Sequence, residues 1–133
     1  MKAYSSLLFV YGSLINLTNN SHHAELKPYC RYFGEGILQA RLYRVQNYPG
    51  AVLSECDNDQ VYGELYEISD IKRVLVYLDG YEECSNAFPE PREYLRRLLP
   101  INVGQSITVM AWTYLYNYDI SNLERIASGR WCD

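Results

Sequence analysis

The sequence contains no long hydrophobic run and no closely spaced pair of cysteines. No stretch approaches the ~20 apolar residues that span a bilayer, and the apolar run Leu7 to Val10 is too short for a signal peptide. The four cysteines are widely spaced and lack a Cys-x-x-Cys pair, which argues against a zinc site or a redox dithiol. We therefore expect a cytoplasmic protein with free thiols and no membrane partner.

Clustered positive charge is also scarce. The formal net charge is −4, and basic residues occur at most two in a row. Because binding to nucleic acid or to an anionic membrane depends on grouped Lys and Arg, neither partner is expected. His22 and His23 have no third ligand at a useful spacing, so the sequence predicts no metal site.

Tyrosine, in contrast, is abundant, with 14 copies in 133 residues. An aromatic ring favours strands, and its hydroxyl needs a polar partner when buried. Most of the tyrosines are expected on strand faces, and some can line a pocket with polar tips.

The apolar and β-branched patterns predict about six strands. Gly63, inside one of them, indicates a bulge or the close approach of another backbone. Gly34 and Gly36 are expected to interrupt the chain. The predicted strands are Ser5 to Tyr11, Ile37 to Tyr43, Ala51 to Leu53, Val61 to Ile68, Arg92 to Leu99 and Ser106 to Tyr116.

Two or three short helices complete the prediction. The clearest runs from Asp70 to about Asp79 and is capped by Ser69, because its apolar residues recur at helical spacing. A second begins near Asn19 to Ser21 and ends by Tyr32, and a third opens at the capping box Ser121-x-x-Glu124. Since strands and helices do not alternate regularly, we expect one α+β domain over residues 1–133 with a mixed, curled sheet.

The turn Tyr11-Gly12-Ser13-Leu14 directly follows a predicted buried strand. Glycine lets a backbone approach a ligand closely, and successive N–H groups in such a turn can form an anion receptor. An ordinary strand end that closes in Gly-Ser explains the same residues.

Three acids, Asp79, Glu82 and Glu83, cluster at the end of the clearest helix. The helix dipole disfavours negative charge there, so the cluster costs stability unless something offsets it. The cluster is either a solvated loop or a functional site.

Seven segments in a fixed order resemble the γ-glutamylcyclotransferase-like, or AIG2-like, proteins. Each is unspecific alone, but their order and spacing together are specific. The segments are Leu8-Phe9-Val10-Tyr11-Gly12-Ser13-Leu14, Tyr48-Pro49-Gly50-Ala51, Val61-Tyr62-Gly63-Glu64-Leu65-Tyr66, Leu78-Asp79-x-x-Glu82, Tyr94-x-Arg96-Arg97, Ala111-Trp112-x-Tyr114 and Ser128-Gly129-x-Trp131.

The resemblance implies a small mixed β-barrel with flanking helices and a pocket beside the first turn. It makes Glu82 the general acid/base and assigns binding of the substrate to backbone groups of Tyr11, Gly12, Ser13 and Leu14. Tyr114 is similar to a tyrosine that faces the pocket. The resemblance also suggests that Tyr94 and Arg96 support this pocket.

The implied reaction is the cyclisation of a small γ-glutamyl amine or peptide to 5-oxoproline with release of an amine, without a cofactor. Two alternatives remain open at this point. One is a non-catalytic module that binds a small carboxylate or γ-glutamyl ligand, and the other is removal of a γ-glutamyl protecting group in a biosynthetic pathway. We expect a monomer or a weak homodimer.

Overall fold

A computed structural model describes residues 6–12, 21–81 and 92–131. These residues form eight strands, one α-helix and one 3-10 helix. In chain order they are β1 (Leu7–Val10), the 3-10 helix (Ser21–Tyr29), β2 (Cys30–Leu38), β3 (Ala40–Arg44), β4 (Pro49–Leu53), β5 (Val61–Ile68), α1 (Ile71–Tyr81), β6 (Tyr94–Gly104), β7 (Ile107–Tyr116) and β8 (Glu124–Arg125).

Five strands close into a barrel in the order β1-β5-β2-β6-β7. Neighbouring strands are antiparallel except β1 and β7, which run parallel and close the barrel at Leu8 and Trp112. The other three strands form a small sheet in the order β4-β3-β8. The predicted α+β class and the curled, barrel-like sheet are confirmed.

The first strand forms part of the barrel wall, and its last three side chains are almost completely buried. Leu8, Phe9 and Val10 are each at most 3% exposed. Because β5 pairs with one edge of β1 and β7 with the other, the chain leaves the wall at Tyr11 and Gly12 from a fixed position.

Helix α1 packs its apolar side against the same core. Val74, Leu75 and Leu78 are buried at helical spacing, as predicted. The helix begins at Ile71 and continues through Gly80 to Tyr81, slightly beyond the predicted end. Glu82, the next residue in the sequence, lies outside the described residues.

Two glycines face each other across β2 and β5. Gly36 and Gly63 are register partners, and a Cβ at Gly36 would lie 2.5 Å from Cγ2 of Ile101. A Cβ at Gly63 would collide with the carbonyl oxygen of Val10, so the predicted close backbone approach is confirmed. The expected chain break at Gly34 and Gly36 is wrong, because both residues lie inside β2. Close packing explains the glycine at position 36, whereas a Cβ at Gly34 would meet nothing within 4 Å.

The predicted C-terminal helix is also wrong. Its capping residue Ser121 instead bonds to Asp119, with its N–H 3.0 Å from Oδ1 and its hydroxyl 2.9 Å from Oδ2. Such local bonds compete with helix formation. The chain turns here and then adds the short strand β8 to the edge of β3.

One buried carboxylate ties the small sheet together. Asp59 accepts hydrogen bonds from Oγ of Ser54 at 2.5 Å, Nε of Arg41 at 2.8 Å and Nη2 of Arg125 at 2.6 Å. Arg41 lies on β3 and Arg125 on β8, so a single side chain links both strands to the loop before β5. The Ser54 hydroxyl and the two guanidinium groups hold the pKa of Asp59 well below its usual range.

We expect Asp59→Asn to lower the urea midpoint of unfolding at pH 7. A carboxyl group whose pKa is depressed by folding stabilises the folded state above its unfolded pKa of about 3.9, and this contribution is lost as the pH falls toward the folded pKa. The difference between wild type and variant should therefore shrink progressively below about pH 4. The exposed Asp57→Asn is the control, and an equal effect of the two substitutions would contradict this role of Asp59.

Candidate active site

Tyrosines from three strands meet where β1 leaves the barrel. Tyr11 follows β1, Tyr94 begins β6, and Tyr114 and Tyr116 lie near the end of β7. Tyr94 is the cross-strand partner of Tyr116, and the parallel pairing of β1 with β7 brings Tyr11 toward the same end. The barrel topology thus gathers residues that are far apart in sequence.

The hydroxyl of Tyr11 joins two parts of the structure. It donates a hydrogen bond to the carbonyl oxygen of Tyr114 at 2.6 Å and accepts one from the N–H of Ala51 at 3.1 Å. The side chain is only 6% exposed, so loss of these bonds would leave polar groups buried without partners. Tyr11 therefore fixes the start of the first turn to both β7 and β4.

The segment Pro49-Gly50-Ala51 lies directly against this turn. The hydroxyl of Tyr94 donates to the carbonyl oxygen of Pro49 at 2.6 Å. At Gly12, an added Cβ would be 2.6 Å from Cγ of Pro49, so the turn can approach the segment only because position 12 has no side chain.

The ring of Tyr94 packs between two further tyrosines, Tyr48 and Tyr116. It meets the ring of Tyr116 edge to face at 5.5 Å and lies 6.4 Å from that of Tyr48, whose hydroxyl donates to Oε2 of Glu93 at 2.6 Å. Burial, aided by the charge of Glu93, raises the pKa of Tyr116. Tyr48 and Tyr94 thus combine packed rings with hydrogen-bonded hydroxyls, in line with the role expected of the many tyrosines.

The C-terminal end of α1 is attached to the barrel through Asp79. Its Oδ1 accepts a hydrogen bond from the hydroxyl of Tyr114 at 2.7 Å and lies 3.2 Å from Nε of Arg96. Arg96 and Tyr114 are cross-strand partners on β6 and β7, and the guanidinium of Arg96 also stacks on the ring of Trp112 at 5.0 Å. The barrel therefore offsets the unfavourable charge of Asp79 at this end of the helix.

Of the predicted site residues, the structure brings together Tyr11, Gly12, Tyr94 and Tyr114. The predicted residues Ser13, Leu14 and Glu82 lie outside the described residues. The hydrogen bond between Asp79 and Tyr114 was not predicted from the sequence. The only indication of such a partner was an acid at the end of a helix, where negative charge is unfavourable.

Elsewhere, a cleft of about 440 Å³ opens between β2, β5, β6 and the chain near Trp131. Its lining includes Glu35, Tyr62, Glu64 and Arg130, and none of the four predicted site residues within the described ranges. The cleft is therefore separate from the group formed by Tyr11, Gly12, Tyr94 and Tyr114.

In residues 6–12, 21–81 and 92–131, no three His, Cys, Asp or Glu residues are grouped as a metal site would require. Within the same ranges, neither the length nor the apolar content of any helix is sufficient to cross a bilayer.

Comparison with known proteins supports the resemblance over nearly the whole chain. The family model described as "Gamma-glutamyl cyclotransferase, AIG2-like" matches residues 8–133. The gamma-glutamylcyclotransferase family protein YtfP of Escherichia coli K12 is 33% identical over 126 residues, which cover 95% of this chain and 96% of the relative.

Solved structures agree with this comparison. The solution structure of ytfP from Escherichia coli has a TM-score of 0.64 at 32% identity and covers 96% of both chains. An AIG2-like protein from Mus musculus has a TM-score of 0.63 at 20% identity, with 98% of this chain and 97% of that chain covered, and shows the shared fold. The chain belongs to the gamma-glutamyl cyclotransferase, AIG2-like family.

Proposed function

We propose that this protein is an enzyme that cyclises a γ-glutamyl amine or peptide to 5-oxoproline and releases the amine, with Glu82 as the general acid/base. The observation that carries the proposal is the meeting of the β1 exit with the anchored end of α1. Tyr114 touches both, through its carbonyl oxygen to Tyr11 and its hydroxyl to Asp79. Family membership over residues 8–133 adds independent support.

The substrate supplies its own nucleophile. The α-amine attacks the γ-carbonyl carbon, a new carbon–nitrogen bond closes the five-membered ring, and the bond to the leaving amine breaks. Because the two groups belong to one molecule, the effective concentration of the amine is high. The enzyme is left with the tasks of orientation and proton transfer.

Glu82 would perform both proton transfers in sequence. As a carboxylate it accepts a proton from the α-ammonium group, and as a carboxylic acid it returns that proton to the departing nitrogen. The ring nitrogen loses a second proton as the lactam forms, and the released amine takes up that proton and leaves as an ammonium ion. Protons therefore balance over the cycle, and no electrons are exchanged with an external acceptor. The reaction as proposed therefore proceeds without a cofactor.

The first turn would hold the substrate through backbone groups of Tyr11, Gly12, Ser13 and Leu14. N–H groups in such a turn can bind the α-carboxylate or stabilise the oxygen on which charge develops. Tyr11 and the close fit of Gly12 to Pro49 support this role, since a donor contributes most when it is held in place before the reaction.

Tyr94 and Tyr114 would line the substrate pocket from β6 and β7. Their hydroxyl protons are donated to Pro49 and Asp79, so each would meet the substrate with its ring or with a hydroxyl lone pair. Both side chains are at most 5% exposed, which favours a role as fixed walls.

Glu82→Gln tests the acid/base assignment. We expect release of 5-oxoproline from a panel of γ-glutamyl amines and dipeptides to fall by about 10²–10⁴-fold, because general acid–base catalysis contributes on this scale. Binding measured by calorimetry should remain, since glutamine has nearly the same shape. Glu83→Gln is the matched control because it neutralises the adjacent acid.

A fully active Glu82→Gln variant would remove Glu82 from the mechanism. Loss of activity only in Glu83→Gln would transfer the role to Glu83. If the wild-type protein binds γ-glutamyl ligands but turns over none of the panel, the protein is a binding module and the proposal is wrong.

Gly12→Ala tests the role of the first turn. Its new methyl group would lie 2.6 Å from Cγ of Pro49 and push the turn away from the barrel. We expect kcat/KM to fall about tenfold or more, since a displacement near 1 Å can cost about 10²-fold. Gly34→Ala is the control, because a Cβ there meets nothing within 4 Å. Equal activity of the two variants would contradict the proposed fit.

A further inference from the structure

We propose that Tyr114 and Asp79 act together as positioning residues that hold Glu82 in register with the substrate-binding turn. This inference rests on the proposed function, because it assumes that Glu82 transfers the protons. It assigns the hydroxyl of Tyr114 a structural connection to the acid, in place of direct contact with the substrate.

Tyr114 is hydrogen-bonded to both halves of the site, which are the exit of β1 at Tyr11 and the end of α1 at Asp79. Its carbonyl oxygen accepts the hydrogen bond from Tyr11 at 2.6 Å, and its hydroxyl donates to Oδ1 of Asp79 at 2.7 Å. The side chain is 4% exposed and lies on a strand that pairs along its length with β6. A shift of Tyr114 would therefore move both halves together.

The connection extends beyond Tyr114 on each side. Tyr11 also accepts the N–H of Ala51, which ties β4 to the same point, while Arg96 lies 3.2 Å from Oδ1 of Asp79. A carboxylate oxygen that accepts a hydrogen bond from a hydroxyl and forms an ion pair with a guanidinium is restrained in two directions. Charge-assisted bonds of this kind are shorter and stronger than neutral ones.

Covalent geometry transmits this restraint to the acid. Asp79 lies two residues before the end of α1 at Tyr81, and Glu82 follows directly in the sequence. Three residues span at most about 11 Å, so fixing Asp79 limits where the backbone of Glu82 can lie. A site for proton transfer requires positions accurate to well under 1 Å, and such anchoring improves that accuracy.

The chemical identity of these residues is explained by this role. An acid at the C-terminal end of a helix is unfavourable, and an apolar residue would suit the helix better. Asp79 is nevertheless held by Arg96 and Tyr114 at a point where the chain continues to Glu82. The carboxylate of Asp79 thus attaches the helix to the barrel, although its charge is unfavourable at this end of the helix.

Tyr114→Phe is the most specific test, because it removes the hydroxyl and leaves the ring and the carbonyl oxygen that Tyr11 uses. We expect kcat for 5-oxoproline release to fall about 10- to 100-fold with KM within about twofold of wild type, since the acid is displaced while the binding turn is not. Asp79→Ala should show the same split. The double variant should be no slower than Asp79→Ala alone, because both changes break one connection.

Asp70→Asn is the matched control, at the residue directly before the same helix. Asp70 pairs with Arg73 at 3.0 Å near the start of α1, where both side chains are largely exposed. This variant should keep the kcat of the wild type. Asp79→Asn, which retains an acceptor oxygen for Tyr114, should recover part of the activity that Asp79→Ala loses.

The outcomes separate this inference from the proposed function. Normal turnover by Glu82→Gln would overturn both. An inactive Glu82→Gln with fully active Tyr114→Phe and Asp79→Ala would overturn only the positioning role. A rise in KM with unchanged kcat in Tyr114→Phe would instead show that its hydroxyl contacts the substrate. Thermal unfolding of each variant distinguishes a displaced acid from an unfolded protein.

Discussion

The buried hydroxyl of Tyr11 is the contact on which the described arrangement depends. It bonds to β7 through Tyr114 and to β4 through Ala51, so this one side chain links the barrel to the small sheet. Its position immediately after β1 matters, because β1 is paired on both edges and cannot adjust alone. The position at which the first turn begins is therefore fixed by β1, β4 and β7.

Two aspartates show how the fold uses negative charge for attachment. Asp59 joins β3 and β8 through Arg41 and Arg125, whereas Asp79 joins α1 to β6 and β7. Each carboxylate is enclosed by groups that donate to it, which offsets the cost of removing it from water. The two attachments differ in consequence, since one holds the small sheet together and the other leads directly to Glu82.

Much of the fold was predictable because the local pattern and the final structure agree. Val61–Ile68 and Ile107–Tyr116 read as strands, and Val74, Leu75 and Leu78 gave the helix its buried side. The failures occurred where local signals conflict with packing. Gly36 indicated a break but fits the crowded barrel wall.

The site was predictable only in part for a related reason. Tyr11, Gly12, Tyr94 and Tyr114 could be named from their motifs, but hydrogen bonds across more than 30 residues carry no local pattern. The bonds from Tyr94 to Pro49 and from Tyr114 to Asp79 depend on how the barrel closes. An acid at the C-terminal end of a helix marked Asp79 as unusual. Its partners Tyr114 and Arg96 could be identified only from the way the strands are arranged.

The parallel contact between Leu8 and Trp112 also governs when this structure can form during synthesis. Closure joins β1 to β7, the last strand of the barrel in chain order, so a nascent chain cannot close the barrel until β7 has left the ribosome. Until then the apolar β1 has an unpaired edge, which is prone to association with other chains. Translation of β7 is therefore the step at which the second edge of β1 becomes protected.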